Sequence, residues 1–189
     1  MRIGHTLRKD RAPGEVRYYG APGKTTDAVV GPRMGKPVPW PYGGWYLEAL
    51  DAHGGWIASA PDLVRFASAF DVPEQCPILT ARGVHTMFAR PSGLAGHTRK
   101  GAPRDSFYAC GWQVRPVSGG ANTWHSGSLD GTNALLVRRH DGLSWAVLFN
   151  SREEFKKEEP AVAIDGPLHE AADAVKTWPT HDLFGRGEL

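Results

Sequence analysis

Between Phe107 and Asn150 the chain consists of short β-rich runs, and this pattern limits the possible folds more than any other part of the sequence. Four runs, FYACGWQVRP, ANTWHSGS, TNALLVRR and LSWAVLFN, are divided by glycine-containing turns. Such runs are typical of antiparallel strands joined by hairpins. Asp141–Gly142, between the last two runs, indicates a type I′ turn. The sequence therefore predicts a meander of about four antiparallel strands.

Three other segments have the apolar spacing of helices. Ser59 and Asp62 form a capping-box pattern at the start of a helix over Ala60–Phe70. A second helix is predicted over Thr80–Ala89, with Thr80 as its cap. A third lies in GPLHEAADAVKTW, residues 166–178, where apolar residues form a stripe.

Both faces of the last predicted strand are apolar, because Trp145, Val147 and Phe149 alternate with Ala146 and Leu148. A sheet that is apolar on both faces must be covered on both faces. The predicted fold class is therefore α+β, an antiparallel β-sheet with the C-terminal helix packed on it.

The first 44 residues, called here the N-terminal segment, are irregular in pattern. Glycine and proline together make up 38 of the 189 residues, and they interrupt this segment repeatedly. Such a composition disfavours an all-helical protein. We interpret residues 1–44 as a Gly/Pro-rich covering segment with one short strand, Glu15–Tyr19, and residues 45–189 as the α+β region, together forming one structural domain.

Charge excludes some classes of function. The net charge is +2, with eight basic against three acidic residues in positions 1–40 and five against nine in positions 150–189. Basic residues do not cluster with aromatic ones, so a nucleic-acid partner is not expected. The run Arg152–Glu159 has mixed charge and is interpreted as a solvated linker.

Neither a membrane span nor a metal site is predicted. No run of about 18 apolar residues occurs, and the first residues lack the apolar core of a signal peptide, so a soluble chain is expected, and its compartment stays open. Cys76 and Cys110 are not in metal or redox spacing. The eight histidines form neither His-x-His nor His-Glu-x-x-His, so no metal and no organic cofactor is expected.

The densest group of polar residues is the segment from Trp124 to Asn133, WHSGSLDGTN, between two predicted strands. It is interpreted either as a tight polar turn or as the border of a cleft. A Gly-x-Ser-x-Gly nucleophile elbow is absent, and so are the glycine patterns of phosphate-binding loops.

Five motifs taken together carry a resemblance to a known family: GGWIASAPDLVRFA, CGWQV, HSGSLDGTNALLVRR, LSWAVLFNSR and the terminal WPTHDLF. In this order they resemble the serine β-lactamase-like family, which includes class C β-lactamases, D-alanyl-D-alanine carboxypeptidases and related esterases. The resemblance covers about residues 45–185. It implies a partial β-lactamase/transpeptidase-like fold, the C-terminal half of such a protein.

The resemblance also implies a site. His125-Ser126-Gly127 matches the family's Lys-Thr-Gly or His-x-Gly triplet, which would place His125 and Ser126 as hydrogen-bonding residues beside the substrate. The backbone N–H of Ser128 would be an oxyanion donor. Substrate-binding positions would be Gly127, Trp124 and Asn133.

Two motifs of that family do not occur in these 189 residues. There is no Ser-x-x-Lys, which would supply the nucleophile, and no Tyr-x-Asn. Loss of an activated nucleophile typically costs several orders of magnitude in rate. The expected function is therefore part of an acyl-transferring hydrolase acting on an amide, β-lactam or ester, with little or no activity of its own.

Three further expectations follow from the missing motifs. The chain could instead be a stand-alone ligand-binding or interaction module without catalysis. It could also use an unusual serine or threonine nucleophile with His125 as base. Its partners would be a small-molecule substrate and either a second copy of itself or a complementing N-terminal half, because an incomplete sheet exposes an edge.

Overall fold

A computed structural model describes residues 1–152 and 158–181. The described elements, in chain order, are β1 (Arg2–Ile3), β2 (Thr25–Asp27), β3 (Pro37–Pro39), α1 (Leu47–Leu50), β4 (Trp56–Ile57), α2 (Ala60–Ser68), α3 (Ala81–Phe88), β5 (Phe107–Tyr108), β6 (Gln113–Val117), β7 (Gly120–Leu129), β8 (Thr132–Arg138), β9 (Ser144–Phe149) and α4 (Pro160–Ala174). The α+β prediction is confirmed. The linker prediction for residues 153–157 and the last residues of the WPTHDLF motif lie outside the described residues.

The main sheet has five antiparallel strands in the order β5-β6-β7-β8-β9. Each strand pairs with its neighbour in sequence, so the predicted meander is confirmed, with a two-residue first strand in addition. The turn at Asp141–Gly142 is present, but its type was predicted wrongly. Gly142 has a φ of +88°, whereas Asp141 keeps a negative φ, and a type I′ turn needs both to be positive.

One face of the sheet packs against α2 and α3. Ser59 caps α2 with a complete capping box, and Thr80 caps α3 by accepting a hydrogen bond from the N–H of Gly83 at 3.1 Å, as predicted. The apolar side chains on this face form a cluster that contains Ala67, Phe70, Val84, Phe107, Trp112, Val114 and Leu136. This cluster is the larger of the two apolar cores.

The opposite face packs against α4, through Ala161 and Ile164 on the helix and Leu135 and Val137 on β8. The position of this helix was predicted only in part. It begins at Pro160 rather than near residue 166 and ends at Ala174, before the predicted end. Gly166-Pro167 has the pattern of a helix start, but Pro167 lies inside the helix.

The N-terminal segment is more ordered than its sequence predicts, and it contains different strands. Glu15–Tyr19 is not a strand, and only Tyr19 forms an isolated bridge, with Ser151. Instead β2 pairs with β3 inside the segment, and β1 pairs with β4 beyond it, Arg2 opposite Ile57. The division at residue 44 stays a prediction.

Candidate active site

The predicted site lies on β7, where this strand is longer than its neighbour. The first residue of β6, Gln113, pairs with Trp124, so β6 covers β7 only from Gly120 to Trp124. On the other side, β8 pairs with β7 as far as Leu129. In the described part of the chain, residues 125–129 therefore have a strand partner on one side only.

The main-chain groups that face the open side belong to Ser126 and Ser128. Leu129 and Thr132 flank a two-residue turn, so they form a hydrogen-bonded pair, and pairs of this kind alternate along an antiparallel ladder. Gly127 and His125 consequently bond to β8. Ser126 and Ser128 direct their N–H and C=O groups away from β8, toward the space beyond the end of β6.

The side chains of His125 and Ser126 lie on opposite faces of the sheet, because strand side chains alternate. His125 shares its face with Leu136, its partner on β8, and that face carries the larger core. Ser126 lies on the face of α4, opposite Leu135. Both side chains are exposed. This arrangement does not favour His125 as a base for Ser126.

His125 has an aromatic neighbour that sequence reasoning missed. Tyr108 pairs with Gln113 at the start of β6, and its hydroxyl lies 3.0 Å from Nε2 of His125. The two rings are tilted, with centroids 5.9 Å apart. Tyr108 therefore limits the orientation of the imidazole at the open edge. Only the strand register brings these residues together, since 17 positions separate them in sequence.

Gly127 has no structural reason to be glycine. Its φ is not in the left-handed region, and a Cβ at this position would meet only Cβ of Ala134, at 3.7 Å, which is an ordinary contact. A glycine inside a strand costs about 0.5–1 kcal/mol of stability relative to alanine. The missing side chain leaves the strand edge open to close approach by a ligand.

The side chain of Trp124 lies on the face of the sheet that α4 covers, and its backbone pairs with Gln113 of β6, so it is not part of the open edge. It packs against the smaller core beside α4, and the guanidinium of Arg115 stands 5.1 Å from its ring centroid. Its side chain has a packing role here, and its predicted contact with substrate stays a prediction.

Asn133 is 1% exposed, and its amide group is bonded inside the protein. Its Nδ2 donates to the carbonyl of Gly127 at 3.1 Å and to Oε2 of Glu159 at 2.9 Å. Its Oδ1 accepts from the N–H of Ala161 at 2.6 Å. The structure thus gives Asn133 a place behind the strand edge rather than a free group for a ligand.

Glu159 was also missed by sequence reasoning, which treated it as the end of a solvated linker. Its Oε1 accepts a hydrogen bond from the hydroxyl of Ser128 at 2.9 Å, across 31 positions in sequence. A mixed-charge run gives no signal for such a contact.

The turn after β7 carries the nearest buried charge. Asp130 is 8% exposed, and its carboxylate lies 3.1 Å from Nζ of Lys24 and 3.4 Å from Nη2 of Arg152. These two ion pairs connect the N-terminal segment and the end of β9 to the strand that carries the site.

Residues 1–152 and 158–181 contain neither a metal-binding cluster nor a membrane-spanning helix. No three His, Cys, Asp or Glu side chains there are grouped so that they could hold a metal ion. Nor does any helix in these ranges have the length and apolar character needed to cross a membrane.

Comparison with known proteins gave one family. The family model described as Beta-lactamase matches residues 4–166. The match begins well before residue 45, so it includes almost all of the N-terminal segment, which the sequence resemblance did not reach. No curated protein matches the chain.

Proposed function

This chain belongs to the Beta-lactamase family, and from that premise we propose that it supplies the substrate-facing strand of a serine hydrolase that acts on an amide, β-lactam or ester carbonyl. Membership of the family supports the serine hydrolase superfamily. The observation that carries the finer proposal is the open edge of β7 at Ser126 and Ser128, beside the exposed imidazole of His125.

The open edge has the chemistry that acyl transfer needs. Attack on a carbonyl places negative charge on its oxygen, and backbone N–H groups fixed in position stabilise that charge. In this proposal the N–H of Ser128 is one such donor. His125 and Ser126 donate or accept hydrogen bonds to the rest of the ligand, one from each face of the strand. Gly127 lets the ligand approach.

The nucleophile and general base would come from polypeptide outside these 189 residues, because Ser-x-x-Lys and Tyr-x-Asn are absent from the sequence. In that arrangement, residues 1–44 cover part of the α+β region formed by residues 45–189. The main sheet offers β9 as a place to add strands, since β9 pairs only with β8 among the described strands. A complementing half or a second copy of the chain is the partner that this edge fits.

The purified chain alone should have little or no hydrolase activity. We expect nitrocefin and p-nitrophenyl esters to be hydrolysed very slowly or not at all, because binding and oxyanion stabilisation without an activated nucleophile leave little catalysis. Turnover that a serine-directed inhibitor abolishes would contradict this proposal and would favour the unusual nucleophile instead.

Ligand binding at the open edge is tested with Gly127→Ala. Addition of benzylpenicillin, or separately of a short p-nitrophenyl ester, to the ¹⁵N-labelled chain should shift the amide resonances of residues 126–128. In the variant, we expect the Kd to rise about tenfold or more, since a lost contact of about 1.4 kcal/mol is a factor of ten. The fold should persist, because a Cβ at this position meets only Ala134.

Gly166→Ala is the matched control. Its φ is also ordinary and a Cβ there would meet nothing within 4 Å, but it lies in α4 away from the edge. It should bind as the parent does. If the Gly127 variant binds as tightly as the parent, no ligand lies at this edge. If the parent binds neither compound, the result favours the alternative of a stand-alone interaction module without catalysis.

A further inference from the structure

Two polar side chains lie behind the open edge of β7, on the face that α4 covers. They are Asn133 on β8, directly opposite Ser128, and Glu159, the residue just before α4. Together they make hydrogen bonds to Gly127 and Ser128, two of the residues of the edge that lack support from β6. These bonds therefore come from the face of the sheet rather than from its side.

The start of α4 depends on β8 for its cap. The side chain of Glu159 stands at the N-cap position but makes no capping bond to its own helix. Instead Oδ1 of Asn133 accepts from the N–H of Ala161, one of the free donors of the first turn. A residue of the sheet thus caps the helix, and the residue that would normally cap it is turned toward the sheet.

As a result, every polar atom of these two side chains takes part in a hydrogen bond. The two hydrogens on Nδ2 of Asn133 go to Gly127 and to Glu159, and its oxygen goes to Ala161. Each carboxylate oxygen of Glu159 accepts one bond, from Ser128 and from Asn133. The network is buried at Asn133 and exposed at the bond between Ser128 and Glu159, and a polar network in which every member is bonded fixes its parts in one arrangement.

We propose that Asn133 and Glu159 are positioning residues, which hold the Gly127–Ser128 edge in the conformation that accepts a ligand. The proposal rests on the function proposed above for this edge. Backbone donors at an oxyanion site must be held within about 0.5 Å of the productive geometry. The only strand that supports this edge in the described residues is β8, so the network on the α4 face supplies the second constraint.

Backbone order parameters from NMR relaxation test the proposal without any ligand. In Glu159→Ala we expect the values for residues 126–128 to fall from about 0.85, typical of rigid backbone, toward about 0.6. Residues 120–123, which β6 supports, should not change. Glu159→Gln should restore rigidity, because its amide can accept from Asn133 and donate to the hydroxyl of Ser128.

A second test exchanges the amide and the acid between positions 133 and 159, and measures the same order parameters. Asn133→Asp alone brings two carboxylates together and should loosen residues 126–128. Combining it with Glu159→Gln should recover order only in part, because the new amide can donate to the new carboxylate while the bond from position 133 to the carbonyl of Gly127 stays lost. If Glu159→Ala does not fold, these two variants decide the matter.

Val84→Ala is the control for general destabilisation. Val84 is buried in the other core, away from α4, so its truncation should lower stability and leave the order parameters of residues 126–128 unchanged. Rigid residues 126–128 in Glu159→Ala, an equal loosening in Val84→Ala, or no recovery in the paired exchange would overturn the proposal. Failure of ligand binding with intact order effects would overturn only the proposed function.

Discussion

The main sheet and the N-terminal segment are held in place by different kinds of contact. Two apolar clusters fix the sheet between its helices. The N-terminal segment buries only small apolar side chains, Ala12, Ala28 and Val38. Apart from the ring contact between Trp40 and Trp45, its side-chain connections to the rest of the protein include several polar ones, such as Lys24 with Asp130 and Thr6 with Glu48. The sheet should therefore respond to changes in volume, and the segment to changes in charge.

Both regions nevertheless belong to one family match, which runs from residue 4 to residue 166. The polar connections are consequently part of the family region rather than an addition to it. Four substitutions, each compared with a control or a partner variant, test this contrast.

Trp112→Ala should have the largest effect. Trp112 is 4% exposed and stacks among Phe66, Phe70 and Phe88. Removal of a buried aromatic ring leaves a cavity, and we expect a loss of about 3–5 kcal/mol in the free energy of unfolding. Denaturant titration followed by circular dichroism measures it. Trp178→Ala, at a half-exposed tryptophan, should stay within about 0.5 kcal/mol; similar losses in both variants would refute the assigned core.

Asp130→Asn should have a smaller effect that depends on salt. The carboxylate is buried but its two cations are partly exposed, so we expect a loss of about 1–3 kcal/mol, between the values for surface and buried pairs. The loss should shrink at about 1 M salt, where the Debye length is about 3 Å.

A double-mutant cycle checks that Lys24 is the partner of Asp130. Once Asp130 is neutral, Lys24→Met should cost little more, because the pair no longer exists. Fully additive losses would show that the ion pair does not hold the N-terminal segment.

Glu48 should give the smallest effect, seen in the pH dependence of stability. Partial burial opposes ionisation of Glu48, but hydrogen bonds from the hydroxyl and the N–H of Thr6 outweigh it, so the pKa of this carboxyl is lowered. A lowered pKa in the folded state stabilises the protein above the unfolded pKa of about 4.3, and this contribution is lost as pH falls through the folded pKa.

Unfolding free energies of the parent and of Glu48→Gln, measured from neutral to acid pH, should therefore converge as pH falls. Glu170→Gln, on the exposed side of α4, serves as the control. A difference between parent and Glu48→Gln that grows toward acid pH would contradict the assigned hydrogen bonds.

The same contrast explains how much could be predicted from the sequence. Apolar spacing and capping residues are local, so Ala60–Ser68 and Ala81–Phe88 were predicted to within two residues. The Gly166-Pro167 pair misled the prediction of α4, because the helix is stabilised there by packing of Ala161 and Ile164 on the sheet. In the N-terminal segment, glycine and proline interrupt the pattern of the short strands β2 and β3, and β1 pairs with a strand outside the segment, at Trp56–Ile57.

The sequence predicts the strand that carries the candidate site, but not the residues that contact this strand from other elements. His125, Ser126 and Gly127 are consecutive and match a motif, so the resemblance predicts them as site residues, and this stays a prediction. Tyr108 and Glu159 reach the strand only through register and helix docking. The substrate-binding role of Asn133 stays a prediction, and its burial and internal hydrogen bonds could not be predicted from a polar segment.

The order of strands in the main sheet has a consequence for how the chain folds. Each strand pairs with the next one along the chain, so the loops to be closed are short, and short loops lose little conformational entropy on closure. The bond between the N–H of Tyr19 and the carbonyl of Asn150 instead joins opposite ends of the sequence. We therefore expect the hairpins to form first and the N-terminal segment to dock late, onto a sheet that already exists.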